Sequence, residues 1–72
     1  MGRLQYRKIL GETVRELRRL AGLSQETLAE RADLSAKFIG EVERGTVNIS
    51  VDSLFRIARA LNTEVSKLTR GF

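Results

Sequence analysis

LSQETLAERADLSAKFIGEVERG, residues 23–45, predicts two short helices joined by a tight turn. Ser24 is a good N-cap for the first helix, and Ser35 is a good N-cap for the second. Asp33 ends the first helix, because aspartate tolerates a left-handed backbone and bonds its own main chain. Gly45 ends the second. The stretch therefore carries its own start and stop signals.

The second helix of this pair has one apolar face and one face that packing does not use. Ile39 and Val42 recur at helical spacing, and Leu34 leads into the same side. The opposite face carries small, charged or short side chains, at Ala36, Lys37, Gly40, Glu41 and Arg44. We expect the first face to pack inward and the second to remain open.

Apolar residues at helical spacing predict a longer helix before this stretch, over residues 3–21. Its inward stripe consists of Leu10, Val14, Leu17 and Ala21, with Leu20 alongside. Gly22 ends the helix with a left-handed C-cap. Residues 1–8 have two interpretations: their basic side chains Arg3, Arg7 and Lys8 belong to a frayed start or to an arm that touches phosphate. We favour the frayed start, since terminal residues are usually mobile.

Two further helices are predicted after Gly45. Ser50 caps one over residues 51–61, and Thr63 caps a last one over residues 64–70 with Val65 and Leu68 inward. The first has a predicted buried stripe with Ile57 at its edge; the stripe consists of Val51, Leu54, Phe55, Ala58 and Leu61. The fold class is therefore all-α, with five helices.

Length and composition exclude several classes of protein. Seventy-two residues allow one domain, residues 1–72, with a modest core. There is no Cys and no His, which removes the usual zinc sites and nucleophilic catalytic pairs. We expect no enzyme, no metal, no cofactor and no small-molecule ligand. No apolar run has the length of a membrane span, so we expect a soluble cytoplasmic protein.

The net charge of +4 and the pI near 10.4 indicate a polyanionic partner. The charge is unevenly distributed. Residues 1–23 carry six basic and two acidic side chains, residues 24–43 carry two and five, and residues 44–72 carry five and two. The central pair of helices is therefore acidic, and cations that neutralise phosphate must come mainly from its flanks.

The spacing of residues 24–44 resembles the helix-turn-helix of the phage repressor and Cro family (XRE-type) of DNA-binding proteins. The likeness extends from about residue 10 to about residue 68 through LSQ at 23–25, ERG at 43–45 and SLFRIARAL at 53–61. It implies a compact, lambda-repressor-like domain with the motif formed by helices 2 and 3. One departure is Asp33, where the family more often has glycine.

This resemblance implies a sequence-specific transcription regulator whose second motif helix enters the major groove of double-stranded DNA. Lys37 can donate to guanine, Glu41 can accept from cytosine, and Ala36 can meet a thymine methyl. Two alternatives stay open: Lys37 and Glu41 pair with each other at i,i+4, or Phe38 packs partly in the core. The predicted base contacts are Ala36, Lys37, Phe38, Gly40 and Glu41.

Phosphate contacts are expected at helix N-termini and at short polar or basic side chains around the groove. They are Ser24, Gln25, Arg44, Thr46, Asn48 and Ser50. In the resembled family the position of Gln25 and the loop after the recognition helix touch the DNA backbone. Thr46 and Asn48 have ordinary turn chemistry as their alternative role. The family also implies a structural ion pair between Arg18 and Glu43.

A homodimer on a palindromic operator is expected, through the last helix and the loop before helix 4. The apolar residues left over for this surface are Val47, Ile49, Val65 and Phe72, of which Ile49 and Val65 can equally be core. Stand-alone regulators of this size resemble the controller proteins of restriction-modification systems and short phage or plasmid repressors. We expect this protein at the nucleoid. One alternative is an antitoxin-like module that uses its acidic motif to bind a partner protein, and another is a helical bundle with no groove-reading role.

Overall fold

Five α-helices form the part of the chain that the computed structural model describes, residues 5–72. In chain order they are α1 Gln5–Leu20, α2 Gln25–Ala32, α3 Ala36–Arg44, α4 Val51–Ala60 and α5 Val65–Leu68. The predicted all-α, five-helix class is confirmed. The predicted helix start at Arg3 lies outside the described residues. Within residues 5–72, no helix combines the length and apolar character that crossing a membrane requires.

The core lies where α1 and α2 pack against α3, with α4 behind α2 and α5 closing against α4 and α1. Every helix contributes to it. Its buried apolar side chains are Leu10, Val14, Leu28, Ala29, Ala32, Ile39, Val42, Ile57, Ala58 and Leu68. These are removed from water almost completely, and their burial is the main source of stability for so small a domain.

The helix boundaries follow from the capping residues. The hydroxyls of Ser24, Ser35 and Ser50 each accept a hydrogen bond at 3.0 Å from the backbone N–H three residues later. Asp33 adopts the left-handed conformation with φ +57°, and Gly45 does so with φ +74°. The turn between α2 and α3 and the end of α3 are therefore as predicted.

Helix α1 approaches α3 so closely that backbone touches backbone. A Cβ built on Gly11 would lie 2.3 Å from the carbonyl oxygen of Val42 and 2.6 Å from that of Glu43. Only glycine fits there, since a real Cβ essentially never lies closer than 3.0 Å to such an atom, and backbone cannot move aside as a flexible side chain can. Gly11 therefore sets the distance between α1 and the second helix of the motif.

The buried side of α4 differs from the prediction. Ile57, expected at the edge, is fully buried, whereas Val51 is 70% exposed and Phe55 is 54% exposed. The apolar stripe is wider than the sector that α4 buries against α2 and α5, and that sector contains Ile57 and Ala58. Leu54 and Leu61 are partly buried against the core.

Predictions for both ends of α1 and for α5 are also corrected. Leu20 is 78% exposed, and Ala21 is exposed beyond the last turn of α1, because the buried face of α1 is displaced toward Gly11 and Arg18. Residues 5–8 are helical and not frayed. α5 is a single turn, and Glu64 replaces Thr63 at its N-cap position without a side-chain cap.

Candidate nucleic-acid interface

The polar face of α3 is open at its N-terminal end. Lys37 is exposed and Glu41 is half-buried, and the Ser35 cap fixes the first turn that carries Lys37. Among residues 5–72 the ion pairs involve other side chains, so Lys37 and Glu41 do not pair with each other. The i,i+4 alternative is therefore not the observed arrangement, and both charges are available to a ligand.

Gly40 departs from its predicted role. It is buried, because neighbouring side chains lie over it: a Cβ built there would be 3.2 Å from Arg44 Nη1 and 3.8 Å from Gln25 Oε1. Covered in this way, Gly40 is withdrawn from the open face of α3 in the free protein, and its contact with a base edge stays a prediction. Its effect is to let the Arg44 guanidinium lie along α3.

Ala36 and Phe38 are partly buried and pack against the core. The backbone N–H of Phe38 is used by the Ser35 cap. Partial core packing, the alternative role for Phe38, is therefore observed, and only the remainder of its ring surface is available to DNA.

The hydroxyl groups among the predicted phosphate contacts already have partners. Ser24 Oγ donates to Thr27 Oγ1 at 2.9 Å, and Ser50 Oγ donates to Ser53 Oγ at 3.1 Å, in addition to their capping bonds. Thr46 Oγ1 donates to the carbonyl oxygen of Glu41 at 3.2 Å. An anion can instead bind at the exposed N-termini of α2 and α4, which directly follow Ser24 and Ser50.

Arg18 and Glu43 form the predicted ion pair between α1 and α3. Arg18 Nε donates to Glu43 Oε2 at 2.6 Å and Nη2 donates to Oε1 at 3.1 Å, while Nη1 donates to the carbonyl of Leu23 at 2.8 Å. The Glu43 side chain has no exposed surface. Arg15, which is more exposed, reaches the same carboxylate at 3.5 Å.

Gln25 belongs to the same network, which the sequence did not indicate. Its Nε2 donates to Glu43 Oε1 at 3.0 Å, so one side-chain amide links the N-terminus of α2 to the end of α3. Burial raises the pKa of Glu43, but hydrogen bonds from Arg18 and Gln25 and the charge of Arg18 outweigh it and hold that pKa below its ordinary value. Glu43 is therefore a buried, neutralised charge and not part of the groove face.

Asn48 is exposed and accepts a hydrogen bond at Oδ1 from Arg7 Nη2. The two residues are 41 positions apart in the chain, and no local pattern predicts their contact. The first turn of α1 thus lies beside the loop that follows α3.

The domain has an open polar face on α3 and a tight turn before that helix, through Asp33 in the left-handed conformation. The neighbouring helices α2 and α4 have capped N-termini. These features define a helix-turn-helix protein. The helix-turn-helix family model matches residues 14–68. The chain therefore belongs to the helix-turn-helix family of DNA-binding transcription regulators.

Its relatives include control proteins. It is 45% identical over 65 residues to the control protein C.SmaI of Serratia marcescens, covering 90% of this chain and 77% of that one. It is 38% identical over 63 residues to the control protein C.BamHI of Bacillus amyloliquefaciens, covering 86% and 78%. The crystal structure of the restriction-modification controller protein C.AhdI from Aeromonas hydrophila superposes with a TM-score of 0.85 at 42% identity, over 86% of this chain and 94% of that one.

Proposed function

We propose that this chain is a controller-type regulator that recognises a palindromic operator as a homodimer, with α3 in the major groove. The observation that carries the proposal is the exposed first turn of α3, where Lys37 stands clear of the protein and is not paired with Glu41. The likeness to three controller proteins supports the restriction-modification role. Its site of action is the nucleoid, in the cytoplasm.

The base contacts proposed are Lys37 to guanine O6 or N7, Glu41 to cytosine N4 and Ala36 to a thymine methyl. The second turn of α3 contributes less than the sequence suggests, because Gly40 is covered by Arg44 and Gln25. Phosphates are bound by the Arg44 guanidinium, by the free amides after Ser24 and Ser50, and by polar groups of Gln25, Thr46 and Asn48.

The acidic character of residues 24–43 is compatible with this role. The Glu43 charge is buried against Arg18, and Asp33 lies 3.4 Å from Arg56. Glu26 is in the first turn of α2, where the helix dipole favours it. Glu30 is exposed on α2, one turn after Glu26. Glu41 is then the acid of α3 directed toward the groove, where it serves as an acceptor.

A homodimer doubles the number of phosphate contacts that one small domain can make. Of the residues predicted for its surface, Val47, Ile49 and Val65 are packed against the protomer's own core. Phe72, also predicted for this surface, is 58% exposed. Val51 and Phe55 are a further exposed apolar pair, one turn apart on α4 and next to the predicted loop. We propose that they meet the same residues of a second copy.

Selection of binding sites from random duplexes, at a stated salt concentration, tests the proposal. The expected result is an enriched palindrome whose half-sites are separated by roughly one helical turn of DNA, about 10 base pairs. Binding without sequence preference would contradict it. Loss of DNA binding together with capture of a protein partner would favour the antitoxin alternative, which nothing among the relatives named above supports.

A further inference from the structure

The first turn of α1 forms a continuous surface with the loop after α3. Arg7 donates to Asn48, and Lys8 lies against Gly45, where a Cβ would be 3.0 Å from both Lys8 Cα and Lys8 Cγ. We call these four residues the α1–loop surface. It adjoins Thr46, so it borders the phosphate contacts already proposed.

The α1–loop surface offers hydrogen-bond donors and positive charge. A guanidinium has five N–H donors; Arg7 gives one to Asn48, and its Nε is buried without an acceptor among residues 5–72. The other three N–H groups of Arg7 donate to no acceptor among the described residues. Because Asn48 accepts at Oδ1, its amide nitrogen is left as a donor, and Lys8 adds an exposed ammonium.

Among residues 5–72, neither Arg7 nor Lys8 takes part in an ion pair. Within the described part of the chain the ion-paired bases are Arg15, Arg18 and Arg56. An unpaired basic surface made of donors is complementary to an anion. The motif between residues 24 and 43 has two basic and five acidic side chains, so a duplex along α3 needs cations placed outside the motif.

We propose that the α1–loop surface is a phosphate clamp, in which Arg7, Lys8 and the Asn48 amide bind the DNA backbone beside the half-site that α3 occupies. This inference rests on the proposed function and extends it to a helix that lies outside the helix-turn-helix. The contact is to phosphate alone, so it adds affinity without changing the preferred sequence.

Arg7→Gln tests the clamp, with Arg19→Gln as the matched control because it removes the same charge from an exposed site at the other end of α1. Arg7→Gln is expected to raise Kd for the selected operator by roughly three- to tenfold and to lower the slope of log Kd against log salt by about one. Arg19→Gln is expected to change both quantities far less. Lys8→Gln serves as a second variant, and thermal unfolding of each variant verifies that it is folded.

A scan with uncharged methylphosphonate linkages locates the contact. In the wild type, neutralising one phosphate per half-site is expected to weaken binding, and in Arg7→Gln the same linkage is expected to have no further effect. Equal weakening by Arg7→Gln and Arg19→Gln, or no linkage that couples to Arg7, would overturn the clamp. If the wild type still selects a palindrome in that case, the clamp alone has failed; if it selects none, the proposed function has failed.

Discussion

Glu43 of α3 accepts a hydrogen bond from Arg18 of α1 at 2.6 Å with its side chain fully withdrawn from solvent. Replacing one partner of such a pair leaves the other charge buried without compensation. We expect Glu43→Gln to lower the free energy of unfolding by about 3 kcal/mol, measured by urea denaturation. Arg15→Gln is the control: its side chain is 45% exposed, and we expect a loss below about 1 kcal/mol. Equal losses would mean that the buried contact with Arg18 stabilises the fold no more than the exposed one with Arg15.

The same carboxylate makes stability depend on pH in the acid range. Hydrogen bonds and the charge of Arg18 outweigh the effect of burial, so the pKa of Glu43 is below its ordinary value of 4.5 in the folded protein. The contribution of Glu43 to the free energy of unfolding is therefore fully present above the pKa of this group in the unfolded chain. It is lost as the pH falls through the pKa in the folded protein. We expect the unfolding free energy to decrease below about pH 5, and less steeply in Glu43→Gln. Identical slopes in both proteins would show that other groups cause the acid loss.

Two glycines are expected to respond to alanine in opposite directions. Gly11→Ala places a methyl 2.3 Å from the Val42 carbonyl, and we expect a loss of about 3 kcal/mol or a fold that does not form. Gly40→Ala meets only the flexible ends of Arg44 and Gln25, so better helix propensity is expected to stabilise by about 0.5 to 1 kcal/mol. Thermal melts of both variants give the comparison. The reverse order would mean that Gly40 is held against rigid structure.

The sequence predicted what local chemistry decides. Ser24, Ser35 and Asp33 carry their signals within three or four residues, so the boundaries of α2 and α3 followed from capping and turn preferences. The resemblance supplied the Arg18–Glu43 pair in addition, because the family's spacing places those residues together.

Which side of each helix is buried, and which distant residues meet, depends on how the helices are oriented. The periodicity of the sequence does not determine that orientation. Both Ile57 and Phe55 belong to the apolar stripe of α4, and only the packing of α4 against the other helices buries the first and leaves the second exposed. Leu20 is exposed and Arg18 is buried, because the last buried position of α1 holds an ion pair with Glu43 and not an apolar contact. The link between Arg7 and Asn48 spans 41 residues and has no sequence signal.

The exposed apolar pair on α4 leads to a prediction about assembly. Phe55→Glu places a charge at a position that is 54% exposed in the protomer, so the fold is expected to tolerate it while dimerisation weakens by roughly tenfold or more. Sedimentation equilibrium measures the dissociation. Leu20→Glu, at a position 78% exposed on α1, is the control and is expected to leave the dimer intact. A dimer that survives Phe55→Glu would place the interface elsewhere.

The two ends of α3 are expected to contribute differently to DNA binding. Lys37 is in the first turn, which enters the groove in helix-turn-helix proteins, whereas Arg44 is in the last turn with its guanidinium lying over Gly40. Lys37→Ala is expected to change which base is preferred at one position of each half-site, with a loss of about 1 to 3 kcal/mol of discrimination. Arg44→Ala is expected to weaken all sequences alike and to lower the salt slope by about one. Repeating the selection of binding sites with each variant separates the two effects. A consensus that shifts with Arg44→Ala and stays unchanged with Lys37→Ala would contradict the prediction. It would mean that the C-terminal end of α3, and not its first turn, lies against the base pairs.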